Sequence, residues 1–114
     1  MEIIEKPWGK EEIIEINEKY IVKKLTMWKE HRCSLQFHNH KKETIYVLSG
    51  KLRIISGPDQ NNLIEKIYVA DDSITISPGT VHRMEGVEDS IYLEASTAEM
   101  DDVVRLVDDY DRAK

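Results

Sequence analysis

Apolar and polar residues alternate with a period of two along most of this chain, and turn formers interrupt the alternation every 8 to 12 residues or so. A chain patterned this way offers no continuous helical stripe. It offers short strands with one face for a core and one for water, the signature of an all-β sandwich or barrel. The alternation predicts strands at Glu11–Ile16, Tyr20–Met27, Arg32–His38, Thr44–Ser49, Lys51–Ser56, Leu63–Val69, Ser73–Ile76, Val81–Glu85 and Ser90–Ala95. Ser49-Gly50-Lys51 reads as a tight hairpin, Gly57–Asn62 as a polar loop and Ser77-Pro78-Gly79-Thr80 as a sharp turn. Only the tail reads as a helix: Met100–Val107 has apolar residues at 100, 103, 104 and 107, with Asp101 and Asp102 in the first turn, where a helix dipole favours them.

The 114 residues read as a single domain spanning 1–114, since two halves of that size would each lack a stable core. The net charge of -6 disfavours phosphate backbones and anionic lipid, so neither nucleic acid nor membrane is an expected partner. No apolar run approaches the roughly 20 residues that span a bilayer, and Met1–Glu5 lacks the pattern of a secretory segment. The lone Cys33 rules out an internal disulfide and fits a reducing compartment, so the cytoplasm is the expected location.

Chemistry concentrates in Arg32-Cys33-Ser34-Leu35-Gln36-Phe37-His38-Asn39-His40. Alternation puts Arg32, Ser34, Gln36, His38 and His40 on one face and Cys33, Leu35 and Phe37 on the other. A solvated strand is the ordinary explanation of such a face. Two further residues argue for more: Glu43 lies just past a short polar turn, and His82 follows the Ser77–Thr80 turn. Two imidazoles, an amide oxygen and a carboxylate form a mixed nitrogen–oxygen shell that suits zinc, iron, manganese, nickel or cobalt.

The spacing Gln36-x-His38-x4-Glu43-x6-Gly50 resembles the first motif of the cupin superfamily, with glutamine where many cupins have histidine. Ser77-Pro78-Gly79-Thr80-Val81-His82 resembles the second, its proline displaced by one position. Over nearly its whole length the chain is similar to the C-terminal mannose-6-phosphate isomerase domain of bifunctional mannose-1-phosphate guanylyltransferases. The likeness rests on Lys6-Pro7-Trp8-Gly9, the run from Arg32 to His38, Gly79-Thr80-Val81-His82-Arg83, and Asp101-Asp102-Val103-Val104-Arg105 with Asp108-Asp109-Tyr110. It implies a double-stranded β-helix (jelly-roll) barrel with a short C-terminal helix, one divalent metal ion (zinc first among the candidates) on Gln36, His38, Glu43 and His82, and a homodimer. Thr44 and Ile45 depart from the histidine and aromatic residue that usually follow the family's glutamate, and Cys33 replaces a leucine.

The activity this resemblance implies is aldose–ketose isomerisation of a sugar phosphate, mannose 6-phosphate to fructose 6-phosphate. Such chemistry needs a proton-moving base, an electrophile for the enediolate, a cation for the phosphate and a dry cavity. Arg32 is the candidate catalytic and phosphate-binding cation, because a guanidinium grips oxyanions with paired hydrogen bonds. His40 stands open to three roles: base, fifth ligand or rim histidine. Arg83, next to His82, is a surface arginine or a second substrate contact. Two other classes compete with the isomerase. One is a metal-binding cupin that holds a sugar or small acid without turning it over; the other is a metal-dependent oxygenase or lyase.

Overall fold

The computed structural model describes residues 1–110, and over them the chain is all-β. The strands are β1 (Glu2–Lys6), β2 (Gly9–Ile16), β3 (Tyr20–Met27), β4 (Leu35–Phe37), β5 (Glu43–Ser49), β6 (Lys51–Gly57), β7 (Ile64–Val69), β8 (Ser73–Ile76), β9 (Val81–Gly86), β10 (Ser90–Thr97) and β11 (Val104–Val107). They form two sheets with every pair antiparallel: β1-β2-β3-β10-β5-β8 in the first and β11-β4-β9-β6-β7 in the second. This is the double-stranded β-helix that the alternation and the cupin resemblance predict.

The inward faces of both sheets meet in one core. Leu25 and Met27 of β3, Ile45 and Val47 of β5 and Tyr92 of β10 come from the first sheet, and Leu52, Ile54 and Met84 come from the second. Burying one such aliphatic side chain contributes about 1.5–3 kcal/mol, which is why register is tightly specified wherever one face points inward. Gly50, at φ +88°, turns β5 into β6. A Cβ there would lie 2.3 Å from the Asp89 carbonyl oxygen, so a side chain is excluded by space as well as by backbone conformation. Among the described residues no helix is long and apolar enough to cross a membrane.

The C-terminal helix is not seen. Val104–Val107 is a strand on the edge of the second sheet, paired with β4. Three of its determinants outweigh the helical spacing. Val103, Val104 and Val107 are β-branched and favour extended backbone. β4, only three residues long, would otherwise expose its edge. Asp102 does not open a helix; its carboxylate accepts backbone N–H bonds from Asn39, His40 and Lys41 at 2.9, 2.7 and 2.9 Å.

Candidate metal centre

His38 follows β4 directly, Glu43 opens β5 and His82 is the second residue of β9, so both sheets contribute. The Gly79 turn ties two of these segments together: its N–H donates to the His38 carbonyl at 2.8 Å, with a φ of +82° that glycine adopts freely. All three side chains are withdrawn from water, His38 at 4%, Glu43 at 2% and His82 at 0% exposure. One ligand atom from each lies within 4.8 Å of the others. His82 Nε2 stands 3.1 Å from Glu43 Oε1, and His38 Nε2 stands 3.5 Å from the same oxygen.

The outer ring nitrogens settle which way the imidazoles point their lone pairs. His38 Nδ1 reaches the Asp102 carbonyl and His82 Nδ1 the Thr80 carbonyl. A carbonyl only accepts, so each Nδ1 donates, and in the neutral ring Nε2 is left as a bare acceptor facing Glu43. Despite the short separations, His38 Nε2, His82 Nε2 and both Glu43 oxygens lack an aligned hydrogen-bond partner among the described residues. Buried polar atoms converging without partners are costly unless a further group bridges them. Two imidazole nitrogens and a carboxylate are the donor set of a divalent transition-metal ion, and these residues fit one. The backbone carbonyls behind the rings are the supports that ligating histidines require.

The electrostatics agree. Burial works against an ionised Glu43, yet the two histidines, with the Lys41 charge behind them, outweigh it and hold the carboxyl well below its usual range. Burial also opposes charge on His38, but the adjoining Glu43 raises its pKa nonetheless. A cation held by these residues would compete with a proton for this corner. Behind Glu43, Lys41 lies 3.9 Å from it and 3.6 Å from Glu94, whose pKa is pushed up to about 7 by burial and by the Glu43 charge. Cys33 is no ligand: burial pushes its thiol up to about 11, so it stays protonated as a packing residue.

A cavity of about 230 Å³ opens against this corner, with Trp8, Gln36, His38, Glu43, Glu94 and Arg105 in its wall. Gln36 sits beside His82 in the sheet, and its amide oxygen accepts from Ser34 Oγ at 2.7 Å. The other predicted residues lie elsewhere. His40 is exposed, and its backbone N–H donates to Asp102 at 2.7 Å. Arg32 points to the outer surface, where Nε donates to Asp109 at 2.6 Å and Nη1 to Glu85 at 3.1 Å. Arg83 is buried, its Nε donating to the Cys33 carbonyl at 2.9 Å.

Arg32 leaves the ligand face for an identifiable reason. With Gln36 opposite His82, an uninterrupted ladder would set Arg32 opposite Gly86, yet it bridges Glu85. One extra residue therefore lies on the β4 side, and a one-residue slip exchanges the faces. Alternation counted back from Gln36 fails beyond that irregularity. Asp102 and Arg105 are absent from the predicted site because the helical spacing of the tail set them in a helix; the β-branched run Val103-Val104 was the signal for a strand.

Residues 2–108 match the family described as "Mannose-6-phosphate isomerase C-terminal". The chain belongs to that family. The chain is 33% identical over 117 residues to the mannose-1-phosphate guanylyltransferase ManC of Salmonella typhimurium LT2, covering 94% of this chain and 22% of that protein. It is 32% identical over 117 residues to a mannose-1-phosphate guanylyltransferase of Escherichia coli K12, again covering 94% of the chain and 22% of the relative. The chain therefore spans about a fifth of the length of these relatives. A solved structure addressing the Mn(II) centres of Bacillus subtilis oxalate decarboxylase is similar with a TM-score of 0.79 at 22% identity, covering 93% of this chain and 30% of that one. That likeness establishes the fold.

These comparisons correct the expected activity. The relatives that span nearly the whole domain are named for guanylyl transfer, and only the isomerase-like portion is shared. Nothing in the site or the comparisons assigns isomerisation to this chain. The arginine expected at a substrate phosphate is engaged by Glu85 and Asp109 on the outer surface instead.

Proposed function

We propose that the domain is a metal-binding cupin that holds a sugar or a small acid in the cavity beside its metal, as a binding module. The observation that carries this reading is the set of inward-facing atoms on His38, Glu43 and His82, buried and without hydrogen-bond partners among the described residues, at the edge of a polar cavity. Gln36 is proposed as the fourth ligand, since it lies on the cavity wall next to His82 in the sheet. Zinc leads the candidates, with manganese, iron, nickel and cobalt behind it; the Mn(II) centres named for oxalate decarboxylase support manganese among them. Such an ion carries a net charge of about +1 after one carboxylate and attracts a ligand oxygen while a coordination position stays open.

The chain's own residues do the rest. Asp102 and Thr80 hold the imidazoles in the tautomer that offers Nε2 inward. Trp8, Leu25 and Met84 give the cavity an apolar side that excludes water. Elemental analysis of purified protein, followed by a thermal-shift screen of sugars and small acids, tests the reading. The expected result is one metal ion per chain and a ligand that raises the melting temperature without being converted. Protein that takes up none of the five metals when offered them refutes it.

A further inference from the structure

The cations around the cavity are not equivalent. Lys23 lies 3.2 Å and Lys6 3.9 Å from Glu11, and Lys41 lies between Glu43 and Glu94, so each lysine faces a carboxylate. Arg105 does not. It lines the same cavity, it has no ion pair within reach among the described residues, and its buried Nε has no hydrogen-bond partner among them. Asp101, the other acidic residue of the cavity wall, is exposed and forms no ion pair with it.

Register places Arg105 where it can act. It pairs with Gln36 across β11 and β4, and Gln36 pairs with His82 across β4 and β9. Residues directly opposite in an antiparallel ladder share a face, so Arg105, Gln36 and His82 form one row across the second sheet. The row runs from a guanidinium whose Nε lacks a partner among the described residues to a ring whose lone pair points at the metal corner. A partly buried arginine with an unused donor is complementary to a planar or tetrahedral oxyanion, which it grips with two parallel bonds.

We propose that Arg105 is the oxyanion anchor of this cavity, holding the carboxylate or phosphate end of a small polyhydroxylated anion whose hydroxyl oxygens face the metal corner. The proposal rests on the metal-binding reading above and narrows its ligand from sugars and acids in general to those carrying one oxyanion. A carboxylate and a phosphate offer the same oxygen edge to the guanidinium, so the two sources are separated by experiment.

The test uses the zinc-loaded chain and isothermal titration with gluconate, glucose 6-phosphate and neutral glucose, with zinc content measured on every sample. The expected result is that at least one anion binds more tightly than glucose, and that Arg105→Gln weakens that anion by about tenfold or more with zinc content unchanged. Arg105→Lys keeps the charge without the fork and is expected to weaken it severalfold; it also serves as the test variant should Arg105→Gln not fold. Whichever anion binds more tightly identifies the oxyanion. Anion binding unchanged in both variants overturns the proposal, as does wild-type protein that holds zinc but binds neither anion better than glucose. Both results leave the metal reading standing. Wild-type protein that cannot hold zinc overturns the reading itself, and the proposal with it.

Discussion

Two clusters of charged side chains draw on the same segment, residues 32–38, and on the same strand, β9, and are built on opposite terms. On the outer surface Arg32, Arg53, Glu85 and Asp109 pair off, with Glu85 accepting from both arginines at 3.1 and 3.0 Å. On the inner side His38, Glu43 and His82 come as close, yet their facing atoms find no aligned donor or acceptor among the described residues. The outer side chains are partly in water, Arg32 at 42% and Arg53 at 38% exposure, so each ion pair there is screened and contributes at most about 1 kcal/mol. The inner ones are sealed, where an unmatched polar atom costs about 1–3 kcal/mol. The outer cluster is satisfied by its own ion pairs, and the inner one leaves four converging atoms without a hydrogen-bond partner among the described residues. Sequence proximity does not separate the two, since Arg32 and His38 belong to one short segment.

The sharpest way to break this contrast is to remove one carboxylate from each side. Glu43→Gln is expected to abolish stoichiometric metal binding, lowering metal content to about a tenth or less by elemental analysis, because the one anionic ligand is gone. Glu85→Gln, which disturbs only the satisfied cluster, is expected to leave metal content unchanged. Equal metal content in the two variants would dissolve the distinction. A second, smaller effect lies one step behind the ligands. Asp102→Ala releases the backbone of residues 39–41 beside His38 and is expected to weaken zinc about 10- to 100-fold in a competition titration against a chelator. An unchanged affinity would mean that His38 needs no such support. The smallest effect belongs to the outer cluster: Arg32→Ala is expected to lower the unfolding free energy by about 1 kcal/mol or less in urea and to leave metal affinity alone.

Much of this was legible because alternation is a local property. β3 and β8 run over the residues their polarity pattern predicts, and His38, Glu43 and His82, singled out by their spacing, meet in one corner of the barrel. The edges of the sheets were less legible. β1 contains the consecutive apolar pair Ile3-Ile4 between charges, and β11 contains valines at a spacing that also fits a helix, so neither shows a clean period of two. What fixes them is a neighbouring strand in need of a partner, a tertiary fact. The same holds for Arg32 and Arg105. One extra residue opposite β9 turned the first out of the ligand row, and pairing with β4 brought the second into it from a segment nearly 70 positions away in the chain.

The clamp at Asp102 has a consequence for biosynthesis. His38 receives the carbonyl that orients its ring from a residue 64 positions further along the chain. A ribosome adding about 5–20 residues per second delivers that carbonyl several seconds after the imidazole. In the interval His38 and Glu43 belong to a nascent chain in which the ring is not yet oriented, and early metal capture is left to unshaped ligands. The oriented His38 ring is thus available only once the segment carrying Asp102 has joined the fold.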